Sequence, residues 1–434
     1  MTPGPRGLDV LRTVLAYNRD PFQTLLNLVG EYGDVVRFIA GPINAFLVNG
    51  VEYVEAVLVR DAWSFVPIRP FTVERAMRQG LFTSHGYLHQ HQRELLQGAY
   101  AHAQMARFGG VITRWAARVR DSWQAGAEMD LEAQMERLVV SISAEILLGD
   151  VIHLQWDGLV APALVANEYL GTRSTNPLSA LSEALPLKAE NRGFWGAMRR
   201  LEDGIDRVIA ERRASSARGA DFLATLLQAP MSDRQVREEA ITNYTTGNAV
   251  TVSGLLWTFY LLARHPEAEA CLGAELDAVL DDRLPCVEDL PRLDYTRRLI
   301  AESMRLYPPA WTIGRRVVQD YSIAGVRLPA GSLVLVSPYV MHRDRRYFAE
   351  PLRFDPERWT PEASVGRPEY AYLPFSAGPR SCLGEHLAWL TMQLVVATLA
   401  QRWRLRLELG YPLELLPLIS LRPKYGMRMH AEPR

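Results

Sequence analysis

The chain has 434 residues, 48% of them hydrophobic, enough to bury a large core in anything from one to three domains. Its formal net charge of -1 and the absence of any lysine or arginine run give no electrostatic support to a nucleic-acid or anionic-membrane partner. Three cysteines, Cys271, Cys286 and Cys382, with no CxxC pair, argue against a disulfide framework and a structural zinc site.

The N-terminal stretch MTPGPRGLDVLRTVLAYNRD has no long apolar run, and no later stretch approaches 18 uncharged apolar residues. The expectation is a cytoplasmic protein with no membrane anchor. No repeat or Gly/Ser linker marks a boundary, so one domain over residues 1–434 is expected.

In chain order, YGDVVRFIAGPINAFLVNG (32–50) runs apolar between glycines and predicts a small hairpin. Helical periodicity dominates from about residue 86 to residue 310. LEAQMERLVVSISAEILLG (131–149) steps its apolar residues by three and four and predicts a buried helix stopping at Gly149. A capping box at Ser232 and Gln235 opens a helix that Pro266 ends, more than thirty residues later. Its middle, TTGNAVTVSG (245–254), is small and polar where a core helix is bulky, which predicts either a ligand against the notch or a kink.

YSIAGVRLPAGSLVLVSPYV (321–340) again reads as strands with Gly and Pro punctuation. PFSAGPRSCLG (374–384) puts Cys382 between glycines, followed by an apolar helical stretch, EHLAWLTMQLVVATLAQRW. A cysteine at a helix entrance is stabilised as thiolate by unpaired N–H groups and the positive dipole end. From these residues alone Cys382 is a core thiol, a disulfide half, a zinc ligand or an axial haem ligand.

Phe375, Gly378, Arg380, Cys382 and Gly384 spell FxxGxRxCxG, which resembles the haem-binding loop of the cytochrome P450 superfamily. Upstream, Glu302 and Arg305 in LIAESMRLYPP match that family's ExxR motif, and Arg358 in FDPERW resembles the third member of its structural Glu-Arg-Arg cluster. His89 and Arg93 in HGYLHQHQRELLQGAY, and Arg315 in PPAWTIGRRVVQD, match positions that contact haem propionates in the family. The similarity runs from about residue 20 to residue 427.

The resemblance implies a mainly α fold with small β-sheets, an α+β chain of the P450 type, in which haem b lies between a long distal helix and the proximal Cys-loop helix. It implies that Cys382 is the iron ligand, and that Cys271 and Cys286 are ordinary thiols. It further implies a monooxygenase of secondary metabolism that inserts one atom of O2 into a small hydrophobic substrate, such as a terpenoid, fatty acid or polyketide. Electrons would come from a separate ferredoxin or flavodoxin. Positions that line the substrate in the family fall on Asn243, Tyr244, Gly247, Trp311, Thr312, Ile313, Leu418 and Ile419.

One departure stands out. With Trp257 and His265-Pro266 in register, Gly247 takes the usual glycine, but the family's acid falls on Ala249 and its threonine on Val250. Neither side chain relays a proton. Thr246 and Thr251 are the nearest hydroxyls. The alternatives kept open are a peroxide-driven peroxygenase, a haem-dependent isomerase or lyase, and a haem sensor or carrier without turnover.

Overall fold

The computed structural model describes residues 2–40, 43–68, 71–100, 102–149, 159–173, 189–214 and 221–434. It contains two compact units, Met1–Ile68 with Ala301–Cys382, and Arg69–Ile300 with Leu383–Arg434.

The first unit is built on a five-stranded sheet of β1 (Val35–Ala40), β2 (Ile43–Val48), β3 (Phe65–Pro67), β4 (Ile313–Val317) and β5 (Leu333–Val336), in the order β1-β2-β5-β4-β3. β1 and β2 are the hairpin expected over 32–50, and β2 pairs with β5 in parallel. The rest of the sheet is antiparallel. Successive strand residues point to opposite faces, so Ile313, Arg315 and Val317 of β4 share the inward face and all are buried. An arginine on that face is out of pattern.

A buried ion pair organises the remainder of this unit. Arg305, with 0% exposure, holds Glu302 through two 2.8 Å bonds. It also donates to the carbonyls of His342 (2.8 Å), Pro351 (2.7 Å) and Arg353 (3.0 Å). Glu302 accepts from the Asp355 N–H (3.0 Å), Arg358 Nε (3.4 Å) and Trp359 Nε1 (3.0 Å). Every polar face of the pair is therefore served, as buried charges require.

His342 extends the network. Its Nε2 accepts from the Leu373 N–H (2.9 Å), so Nδ1 carries the proton and donates to the Arg305 carbonyl (3.2 Å). Burial, with the Arg305 and Arg343 guanidiniums, pushes its pKa down to about 3 and keeps it neutral.

The second unit is helical. Five helices carry the argument: α1 (Gly86–Leu96), α2 (Leu131–Leu148), α3 (Asp233–Thr246), α4 (Asn248–Arg264) and α5 (Glu385–Ala400). α2 starts at Asp130, whose carboxylate accepts from the Glu132 and Ala133 N–H groups, and stops at Gly149 with φ 70°. α3 opens with the Ser232–Gln235 capping box. Trp257 Nε1 (2.9 Å) and Ser253 Oγ (2.6 Å) both donate to the Leu421 carbonyl and fix α4 to the strand Leu421–Pro423.

The single long helix expected from Ser232 to Pro266 is interrupted at Gly247. Glycine costs about 1 kcal/mol against alanine in a helix, and polar side chains compete for the carbonyls around it. Thr245, Thr246 and Thr251 donate to the carbonyls of Ile241, Thr242 and Gly247, and Asn248 Nδ2 takes that of Tyr244. The break is shallow, since Gly247 keeps φ -82° and ψ -24°.

Removing one partner of the central pair leaves a buried charge uncompensated. Arg305→Ala is expected to lower unfolding free energy by about 3–5 kcal/mol in a denaturant titration. A loss below about 1 kcal/mol would contradict the role given to the pair.

Candidate functional site

The cysteine loop closes on itself. The Cys382 N–H donates to the Phe375 carbonyl and the Ser381 N–H to that of Gly378, both at 2.9 Å. Two residues turn left-handed to make this possible, Ser376 (φ 63°) and Gly378 (φ 71°). At Gly378 the backbone also lies against the turn Ala56–Arg60: a Cβ there would stand 2.1 Å from the Leu58 carbonyl oxygen. Only glycine meets both demands. The chain then reaches Gly384, the residue capping the N-terminus of α5.

Cys382 is exposed. The other thiols differ. Cys271 lies on the helix Pro266–Leu280, while Cys286 contacts the Asp289 carboxylate at 3.2 Å and has its pKa raised by burial and by Glu288 and Asp289. Among the described residues no three His, Cys, Asp or Glu side chains are grouped to hold a metal ion.

Arg315 is 7% exposed, and its pKa is drawn down to about 10 by burial and by the Arg380 guanidinium. Two cations whose fields add, one of them in the core, suit an anionic ligand. In the second unit His89 and Arg93 stand one turn apart on α1, His89 buried and Arg93 half-buried.

On α3 and α4 the accessible positions form one face. Asn243, Thr246, Gly247 and Val250 follow the i, i+3, i+4, i+7 spacing and are half-buried or exposed. Ala249 beside them is half-buried, whereas Thr251 is buried at 8% exposure. Tyr244 points into the apolar core with Ile241, and its hydroxyl donates to the Leu159 carbonyl (3.4 Å). Asn243 donates to the Glu239 carbonyl and accepts from the Tyr100 hydroxyl.

Trp311 and Ile313 are buried and Thr312 is half-buried; the Trp311 ring packs on Phe22 at 5.1 Å. Leu418 is half-buried and Ile419 exposed, in the turn after the strand Leu415–Pro417. One polar group escaped the sequence reading. Glu239 on α3 has 0% exposure, and burial pushes its carboxyl up to about 7. Its only sequence signal is its spacing of four and seven residues from Asn243 and Thr246.

A family model described as cytochrome P450 matches residues 2–427. The chain belongs to the cytochrome P450 family. This P450 is 35% identical to a cyclooctatin synthase of Streptomyces melanosporofaciens, over 100% of this chain and 96% of that protein. It is 34% identical to a cyclooctat-9-en-7-ol 5-monooxygenase of the same organism, over 93% and 89%. A pentalenene oxygenase of Streptomyces avermitilis is 29% identical, over 93% and 91%. Among solved structures, a cyanobacterial P450 with retinoic acid bound superposes with a TM-score of 0.87 at 23% identity, over 100% of this chain and 99% of that one, and so shares its fold.

The P450 is thus a monooxygenase, an oxidoreductase, and its family implies a haem cofactor. The residues present fit such a group. Gly378 lets the cysteine loop lie flat against its neighbouring turn, and the Arg315–Arg380 pair suits carboxylates. No described helix is long and apolar enough to cross a membrane.

The two glycines at the site differ in cost. Gly378→Ala is expected to lose about 1–3 kcal/mol of stability from backbone strain and to reduce haem content. Gly247→Ala, where a Cβ meets nothing within 4 Å, is expected to hold or raise stability, by up to about 1 kcal/mol. Thermal melts and haem-to-protein ratios of both variants check this.

Proposed function

We propose that this P450 hydroxylates a cyclic terpenoid, with haem b held by Cys382 and electrons supplied by a ferredoxin or flavodoxin-type protein in the cytoplasm. The observation that carries the reading is the closed loop around Cys382, with its complete motif and its glycine-only approach at Gly378. The substrate class is supported by the names of the similar Streptomyces enzymes, a cyclooctatin synthase, a cyclooctat-9-en-7-ol 5-monooxygenase and a pentalenene oxygenase. Residues 1–434 act as one catalytic domain in this reading.

Haem with a thiolate ligand supplies the cleavage of the O–O bond and the oxidation of an unactivated carbon. The chain's own residues do the rest. The N–H groups at the start of α5 and the dipole of that helix favour the ionised Cys382 sulfur. Arg315, Arg380, His89 and Arg93 are proposed as the partners of the two propionates. Phe375 and Gly384 complete the loop that would hold the sulfur at the haem.

Asn243, Thr246 and Gly247 present a narrow polar strip beside Val250, which orients a mostly apolar molecule by one or two hydrogen bonds. Trp311, Thr312, Ile313, Leu418 and Ile419 are proposed as further substrate contacts, Thr312 supplying the hydroxyl among them. Thr246, on the accessible face, is favoured over buried Thr251 as the hydroxyl holding a proton-carrying water.

A second reading is favoured by Ala249 and Val250: peroxide brings its own O–O bond and protons and needs no relay. The test uses the purified holoenzyme with cyclooctat-9-en-7-ol, pentalenene and a long-chain fatty acid. Product from a terpenoid with ferredoxin, its reductase and NADPH is expected. Product from peroxide, with none from the ferredoxin, reductase and NADPH system, would replace the monooxygenase reading with the peroxygenase one. Arg93→Ala and Arg315→Ala are each expected to weaken haem retention in a dissociation assay, by up to about 3–5 kcal/mol and less where water fills the gap.

A further inference from the structure

About three helical turns before Ala249 and Val250 lies a buried carboxyl that is only partly hydrogen-bonded among the described residues. Glu239 Oε2 accepts the Leu81 N–H at 3.1 Å, but Oε1, although buried, meets no hydrogen-bond partner among the described residues. One turn along α3, Thr242 Oγ1 is likewise buried without a partner. Both side chains are more than nine-tenths buried, Glu239 at 0% and Thr242 at 3% exposure. Two orphaned polar atoms on adjacent turns, each costly to leave unpaired, mark a place for a bound water.

What covers them is a tight turn. At Gly80 a Cβ would stand 1.9 Å from Thr242 Oγ1 and 2.9 Å from the Glu238 carbonyl oxygen, so the turn lies directly on α3. Gln92 of α1 ties it down by donating to the Gln79 carbonyl (2.6 Å). The Gly80 turn covers α3 here, and the same helix face continues towards Thr246 and Val250.

That direction leads to the site. Glu239, Asn243, Thr246 and Val250 share one face at steps of four, three and four. Thr246 uses its hydroxyl proton on the Thr242 carbonyl (2.8 Å), leaving oxygen lone pairs to accept from a water. The run from Glu239 to Thr246 is about 10 Å at 1.5 Å per residue, a span that two hydroxyls and intervening waters bridge.

We propose that Glu239 is the proton-holding carboxyl of a path along this face of α3, with Thr242 and Thr246 as its hydroxyl steps, replacing the acid–threonine pair absent at Ala249 and Val250. Glu239 acts through Thr246 and is a positioning residue for the reaction. The proposal rests on the monooxygenase reading above. Hydroxylation of RH by O2 consumes two electrons and two protons and gives ROH and water. The redox partner supplies the electrons. Each proton leaves Glu239 as a carboxylic acid, is passed on by hydroxyls that accept one proton and release another, and is replaced from bulk water.

The carboxyl is suited to this task, because an acid whose pKa lies near the working pH both holds and gives up a proton. Burial is the main cause, the Leu81 N–H works against it, and the Glu238 charge adds to it. Glu238 itself pairs with Arg234 (2.9 Å). The charges on elements packed against α3 are engaged elsewhere or exposed: Arg78 with Glu202, Arg237 with Asp206, Arg212 with Asp221, Arg114 with Glu145, Arg75 over Trp195, and Glu74 and Glu168 exposed.

Glu239→Gln keeps the size of the side chain and its acceptor for the Leu81 N–H. In the resting wild-type holoenzyme, infrared difference spectra are expected to show a carboxylic-acid carbonyl band that titrates near pH 7 and is missing from E239Q. With ferredoxin, reductase, NADPH and cyclooctat-9-en-7-ol, E239Q and Thr246→Val are expected to give about a tenth or less of the wild-type product per NADPH, with more peroxide released. The wild-type pH profile of this ratio is expected to lose its midpoint near 7 in E239Q. Added peroxide is expected to restore product formation in E239Q.

Donor-driven product with equal coupling in the wild type and E239Q overturns the proposal and leaves the monooxygenase reading intact. So does a wild type without the infrared band. Lower thermal stability of E239Q with equal loss of donor- and peroxide-driven product overturns it in favour of a structural role. A wild type that makes product from peroxide but none with ferredoxin, reductase and NADPH overturns the monooxygenase reading, and the path with it.

Discussion

The Glu302–Arg305 ion pair is the constraint on which the first unit depends. Two opposite charges at 0% exposure are stable only when each remaining lone pair and N–H finds a partner. Here those partners are backbone groups far along the chain, at His342, Pro351, Arg353 and Asp355, and the side chains of Arg358 and Trp359. Satisfying the pair therefore fixes the path of residues 342–359. Neutral His342 carries the constraint on to Leu373, the residue before Pro374, where the cysteine loop begins. The ion pair thus acts on the path of the chain, setting where the loop starts.

From that start the loop has little freedom. Ser376 and Gly378 turn it, Gly378 packs it on the Ala56–Arg60 turn, and the Cys382 N–H closes it on Phe375. Arg315 belongs to the same unit and enters from β4 on a face otherwise given to Ile313 and Val317. Burying a guanidinium there beside Arg380 is unfavourable alone, and an anion between the two cations would offset that cost. The unit thereby presents a thiol and a pair of cations, the side chains that the proposed haem site calls for.

Much of this was legible in the sequence where a local rule dominates. The Ser232–Gln235 cap, the Gly149 stop of α2 and the hairpin at 32–50 follow from side chains acting on their own backbone. The loop motif singled out Cys382 because glycine spacing records backbone geometry directly. The break at Gly247 was harder, since kink and ligand notch leave the same small, polar signature. Arg315 needed the register of β4 before its inward position was visible. Glu239 left only a spacing signal, because a glutamate inside a charged stretch reads as solvated until the Gly80 turn is laid over it. Burial set by residues 159 positions away has no local code.

Cys382 as a thiolate ligand to haem iron is tested most directly by one spectroscopic comparison. The reduced holoprotein is treated with carbon monoxide, and its Soret band is recorded for the wild type and for Cys382→His. The account predicts the red-shifted band of a thiolate-ligated haem in the wild type and its loss in C382H, with some haem still bound. The same red-shifted band in both proteins would contradict it.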